Sequence, residues 1–162
     1  MTIIKPFEPD TLIKNPEGRR VVSSVEIPCA AQRVWDMVGN FAGYPAFIPA
    51  LESCEVTGEG VRSIRKKLFK DGNVVIEQLN FRNNEEMSMT WSLIYTSLNI
   101  GNLWAAMNVE EKGPAECVAT WTIIGEPATG GPETLPDFQA FLQAFADDAM
   151  NNVRNHPANQ AI

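Results

Sequence analysis

Between residues 52 and 124 the chain breaks into six short stretches suited to strands, at 52–57, 61–69, 73–83, 87–95, 103–111 and 115–124. Glycine-bearing or polar turns such as "GEG", "KDG" and "EKGP" part most of them. This many short strands in succession indicate an antiparallel sheet. A further strand, "RVVSSVEI" at 20–27, comes before them. It runs into "PCAAQRVWDMV", where Ala31, Val34, Trp35 and Val38 recur at helical spacing behind Pro28. "GNFAGYPAFIPA" then suggests a second short helix and a loop. One long helix closes the chain. Thr134 and Asp137 have capping-box spacing, Pro136 falls in the first turn, and Phe138, Phe141, Leu142, Phe145, Ala149 and Val153 make one apolar stripe.

At 162 residues the chain has room for one domain with a substantial core. Residues 1–18 carry three prolines and read as an N-terminal extension, 19–156 as the domain, and 157–162 as a C-terminal tail. No apolar run approaches the roughly 18 residues of a membrane span, and the amino terminus has no secretory pattern, so the expected location is cytoplasmic with no membrane partner. A net charge of −7 argues against nucleic acid, which demands clustered Lys and Arg. Cys29, Cys54 and Cys117 match no metal or disulfide spacing and read as buried small residues. The only histidine, His156, falls in the polar tail and reads as solvated. A multi-His zinc site or a Ser-His or Cys-His nucleophile therefore has almost nothing to work with. No Gly-rich phosphate loop is present either, so neither metal nor nucleotide cofactor is expected. Chemistry here must use Lys, Arg, Glu, Asp or Tyr.

Arg65, Lys66 and Lys67 lie side by side in the strand 61–69. Strand side chains alternate between faces, so at least one of these cations points at whatever the sheet encloses. Which one depends on the turn to the strand 73–83. A two-residue "DG" loop sets Lys66 opposite Glu77; a "KDG" loop with Gly72 in the left-handed region sets Arg65 opposite Glu77. A one-residue slip flips every side chain, and hydrophobicity barely separates the two faces.

The sequence resembles the polyketide cyclase/dehydratase branch of the START-like, Bet v 1-like (SRPBCC) superfamily. The resemblance is carried by "VW" at 34–35 with Phe41, "FIPALESCEVTGEGVRSIR" at 47–65, "DGNVVIEQL" at 71–79, and Trp121 followed by Pro127. It covers about residues 20–155. It implies an α+β helix-grip fold, in which a curved seven-stranded antiparallel sheet wraps a long C-terminal helix, with two short helices after the first strand and an apolar cavity between. Relatives include cyclases, aromatases, Pictet–Spengler-type enzymes, hormone receptors and lipid carriers, so fold alone does not give function. The chain departs from many relatives by carrying Phe47 and Ile48 in place of a Trp-His pair, and its short "FKDGN" turn lacks a receptor's gate.

In such relatives the Glu of strand 73–83 points inward, which selects the "KDG" register. Arg65, Lys67 and Glu77 then face the cavity, and Lys66 faces away. The same resemblance puts Phe69, Val75, Met89, Trp91, Leu93, Leu103, Ala105, Met107, Thr120 and Thr122 on the concave face, with Phe141 and Phe145 from the helix. On the last strand it conflicts with composition, because Cys117, Ala119, Trp121 and Ile123 are the more apolar set; there the resemblance is followed. The implied function is an enzyme that folds and cyclises a small, apolar, polyketide-like substrate by aldol/dehydration or enol–lactone closure. Glu77 is its expected base, with Lys67 and Arg65 binding the oxyanion or carboxylate. Tyr95 and Tyr44 are secondary candidates. Lys67 is expected to remain protonated, Glu77 outweighing burial and Arg65. The second reading is a non-catalytic carrier or sensor of a hydrophobic acid; on either reading the partner is a small hydrophobic substrate or ligand and the protein is expected to be a monomer or homodimer.

Overall fold

A computed structural model describes residues 18–160. The expectation for the N-terminal extension therefore falls, apart from Gly18, outside the described residues. Strand β1 (Arg19–Ile27) leads into helix α1 (Ala31–Val38) and a 3₁₀ turn at Tyr44–Ala46. Six strands follow: β2 (Leu51–Thr57), β3 (Ile64–Phe69), β4 (Val74–Asn83), β5 (Ser88–Thr96), β6 (Asn102–Gly113) and β7 (Glu116–Glu126). Helix α2 (Leu135–Asn155) closes the fold. The seven strands form one antiparallel sheet ordered β1-β7-β6-β5-β4-β3-β2, the helix-grip arrangement implied by the resemblance. Of the two expected short helices, the second is a single 3₁₀ turn.

Register shifts between Leu51 and Ser53, Ile76 and Glu77, and Leu79 and Phe81 interrupt the sheet's ladders. Such bulges bend strands, and here they help curl the sheet around α2. The β1 edge is tied to the helix by side chains: Gln139 donates to the Arg20 carbonyl and Gln143 to the Val22 carbonyl, each at 3.0 Å. Among the described residues no further strand pairs this edge, and these amides satisfy two of its carbonyls. The inner face of α2 buries Phe138, Leu142, Ala146, Ala149, Met150 and Val153. Phe141 lies at the margin of the expected stripe and is exposed. Thr134 forms no side-chain cap; its hydroxyl bonds the Gly131 carbonyl at 2.7 Å.

Two corrections concern the ends and the last strand. His156 is half-buried, and its Nδ1 accepts the Ala158 N–H at 3.1 Å, capping a final 3₁₀ turn. Asn159 in that turn is fully buried and donates to the Val153 carbonyl, so this stretch is docked rather than loose. On β7, Cys117, Ala119, Trp121 and Ile123 face the main core, while Thr120 faces outward and bonds Ser24 at 2.8 Å. Thr122, expected inward with Thr120, shares that outer face. Burying an indole rather than a hydroxyl is the favourable choice, so composition and not the resemblance sets the phase of this strand.

Candidate functional site

The β3–β4 hairpin delivers the polar part of the site. Gly72 sits at φ 92°, its N–H bonds the Phe69 carbonyl at 3.0 Å, and the Phe69 N–H bonds the Asn73 carbonyl at 2.8 Å. Asp71 accepts the Asn73 N–H at 2.9 Å and fixes the turn. The loop is therefore "KDG", and Arg65 pairs with Glu77 across the ladder. Lys66 lies on the exposed face, and Arg65, Lys67 and Glu77 are all buried.

The two cations share one carboxylate. Arg65 donates to Glu77 Oε1 from Nε at 3.1 Å and from Nη2 at 2.8 Å, and Lys67 Nζ approaches the same oxygen at 3.0 Å. The Trp91 indole N–H takes Oε2 at 3.1 Å. Arg65 is wholly buried, with its guanidinium 3.9 Å from the Phe41 ring centre, 4.3 Å from Tyr44 and 4.9 Å from Trp91. It also donates to the Phe41 carbonyl at 3.0 Å. An aromatic cage of this kind suits a planar, weakly hydrated guanidinium. Arg65 points inward as expected, yet it stands behind the cavity wall and not in it.

A cavity of about 260 Å³ lies between the sheet and α2. That is just below the roughly 300–1,000 Å³ of drug-sized sites and suits a small, flat molecule. Lys67 and Glu77 are set among Trp91, Val75, Phe69, Leu103 and Ala105 from the sheet, with Phe141 and Phe145 from the helix. The sequence-predicted residues it does not gather are Arg65, Met89, Leu93, Met107, Thr120 and Thr122. Met89 and Met107 are fully buried on the concave face as core, and Thr120 is on the other side of the sheet. Trp121 and Ile123 line the wall where Thr120 was expected. The apolar face of β7 was the signal for them. Ala50, Leu98, Ile100 and Leu142 complete the lining, with Asp71 and Asn73 at the hairpin end. Tyr95 is exposed, and Tyr44 is buried with its hydroxyl on the Val38 carbonyl at 2.9 Å, so neither phenol reaches the cavity.

Burial acts on both ionisable groups in the wall. For Lys67 desolvation dominates over the Glu77 charge and lowers its pKa, with Arg65 pushing the same way. For Glu77, burial raises the pKa, but Lys67 and Arg65 together outweigh it and hold the carboxyl below its ordinary value. A carboxylate so stabilised, with N–H donors on both oxygens, is a poor proton acceptor. Burial therefore outweighs the Glu77 charge in setting the direction of the Lys67 shift, and its protonation at neutral pH stands as an expectation. Cys54, half-buried beside these charges, is pushed up by desolvation. Among the described residues no group of His, Cys, Asp or Glu is arranged to hold a metal, and no helix is long and apolar enough to cross a membrane.

Residues 18–156 match the family described as polyketide cyclase / dehydrase and lipid transport. No curated protein sequence matches the chain. Among solved structures, the Zhui aromatase/cyclase from Streptomyces sp. R1128 is 14% identical with a TM-score of 0.73, over 83% of this chain and 90% of that one. A START superfamily protein from Mycobacterium smegmatis is 16% identical with a TM-score of 0.67, over 84% and 97%. Norcoclaurine synthase from Thalictrum flavum, solved with dopamine and hydroxybenzaldehyde, is 20% identical with a TM-score of 0.63, over 85% and 87%. At these identities the likeness is one of fold.

Proposed function

The chain belongs to the polyketide cyclase/dehydrase and lipid transport family, and from that premise we propose that it cyclises a small, flat, apolar carbonyl compound by aldol closure and dehydration. The observation that carries this reading is an amine in a largely apolar cavity, the one amine among its described lining residues: Lys67 Nζ, paired with Glu77 at 3.0 Å in a wall shared with Trp91, Phe145 and Val75. An ammonium has three donors, and Glu77 takes one. The others are free for the carbonyl oxygen of a substrate, where they stabilise the enolate as it forms. Closure expels water, so the cation acts in a low dielectric where it is worth most. Glu77 is the counter-ion that holds Lys67 in place, a role its donors favour over that of base. Arg65 is a positioning residue acting through Glu77. Aromatic walls fit a substrate that flattens as it conjugates, and the norcoclaurine synthase neighbour holds an aromatic aldehyde on the same fold.

The test is cyclisation of an aryl-substituted 1,4-diketone to its cyclopentenone, which loses one water and gains an absorbance band. Wild-type protein should accelerate closure, and quenching of Trp91 and Trp121 fluorescence should report binding. Lys67→Met should lower the rate by about 10²–10³, the effect of losing one oxyanion donor. Binding with no acceleration would leave the carrier reading instead.

A further inference from the structure

We propose that Lys67 acts covalently, its Nζ condensing with an aromatic or conjugated aldehyde or ketone in the cavity to form a protonated imine held against Glu77. This rests on the reading of the cavity as a carbonyl site and names the chemistry done there.

The charge count motivates it. Two buried cations, Arg65 and Lys67, lean on one oxygen of one carboxylate. Arg65 has the stronger claim, since it also reaches that oxygen through Nε and is clasped by Phe41 and Tyr44. Guanidinium does not release its proton in proteins, whereas a lysine ammonium does. The surplus positive charge therefore falls on Lys67, and the burial of its side chain favours shedding it. The groups near its Nζ are Glu77 from β4, Arg65 from β3 and the Cys54 thiol from β2, with Asp71 at the hairpin end of the cavity. The helix brings only Phe141, Leu142 and Phe145 to that wall and adds no charge. Desolvation lowers the Lys67 pKa despite Glu77, in the direction a nucleophilic amine needs. Among the described residues no cysteine, serine, threonine, tyrosine or histidine lines the cavity, so an electrophile meets this amine and no competing nucleophile of those kinds from that wall.

The step balances without any co-reactant. Neutral Nζ attacks the carbonyl carbon, a C–N bond forms, and the carbonyl oxygen takes up a proton as the nitrogen loses one. The carbinolamine hydroxyl then takes back the proton that the ammonium shed and leaves as water, and a C=N bond remains with one proton on nitrogen. Counted from the ammonium, the nitrogen carries one positive charge before and after, so the ion pair with Glu77 survives the reaction. The imine acidifies the neighbouring C–H, which is what an aldol closure requires.

The experiment is reductive trapping on the full chain at neutral pH. 2-Naphthaldehyde is added with sodium cyanoborohydride, which delivers hydride to the imine carbon, and labelled lysines are located by peptide mass mapping. We expect a single naphthylmethyl group on Lys67, acquired at least about tenfold faster than on Lys66, Lys70 or Lys112, because a lowered pKa leaves more of its amine free at neutral pH. Labelling spread evenly over the lysines, or absent from Lys67, overturns the proposal. Lys67→Arg provides a second arm, because it keeps the cation but cannot form an imine. The covalent role predicts that its diketone cyclisation falls as far as that of Lys67→Met. Retained cyclisation in Lys67→Arg would overturn the imine while leaving the cyclase reading in place. Trapping at Lys67 with no cyclisation by wild type would do the reverse.

Discussion

At the scale of single residues, the site turns on three charges that cannot be removed independently. Glu77→Gln leaves the wholly buried Arg65 with no counter-charge, and breaking a buried pair from one side costs about 3–5 kcal/mol. Urea unfolding should register that loss. Arg65→Met leaves the Lys67–Glu77 pair intact and should cost less than Glu77→Gln. If Glu77→Gln is as stable as wild type, Glu77 is not the keystone of the cluster. Lys66 and Lys67 provide an internal control, being adjacent in sequence and on opposite faces of β3. Lys67→Met should impair cyclisation, and Lys66→Met should leave it unchanged.

At the scale of elements, β7 decides which wall the ligand meets. Trp121→Ala removes a buried indole that packs on Trp91 and Phe145 at centroid distances of 6.1 and 5.9 Å, and it should cost about 3–5 kcal/mol. Thr120→Val, on the outer face, should change stability by no more than about 0.5 kcal/mol. The reverse ranking in denaturant midpoints would mean that β7 is flipped. Strand number and order and the long helix were legible because turn residues and apolar periodicity are local signals. The β3–β4 register was not fixed by the turn alone, since a left-handed Gly72 suits either a "DG" or a "KDG" loop; the resemblance, through an inward Glu77, selected the faces of Arg65, Lys67 and Glu77 that the fold shows. The cavity wall was legible from β3 to β6, where Trp91, Leu103 and Ala105 alternate cleanly. It was misread on β7, where the resemblance was preferred to the plain apolar face of Trp121 and Ile123. The cage of Phe41 and Tyr44 around Arg65 was not legible, because a non-local stack between a loop and a strand leaves no periodic trace. Nor was the balance of charge: a pKa depends on burial and on distances that only the folded chain sets.

At the scale of the whole molecule, the two ionisable groups in the cavity wall shape stability on opposite limbs of the pH range. Glu77 titrates below its ordinary value of 4.5, so on acidification the unfolded chain takes up the proton first. Its contribution is present above that value and is lost as pH falls through the folded value. Lys67 titrates below 10.5, so between its lowered folded value and 10.5 the unfolded chain again binds more protons, and stability rises with pH there. Urea midpoints followed across this range should show an alkaline rise that Lys67→Met removes. If that variant keeps the rise, another group causes it. Charges, rings and the docked α1 all gather at one end of the cavity, around Arg65. The other end is a rim of exposed Asp71 and Gly72, half-buried Leu98 and Ile100, and Phe141 at 50% exposure. Motion in such a body is graded along its axis, because opening costs least where few apolar contacts and few protected backbone bonds must break. Hydrogen–deuterium exchange should run fast at residues 70–73 and 97–101 and slowly through β6. A ligand should then slow only the fast end, exchanging through a doorway that breathes while the floor stands still.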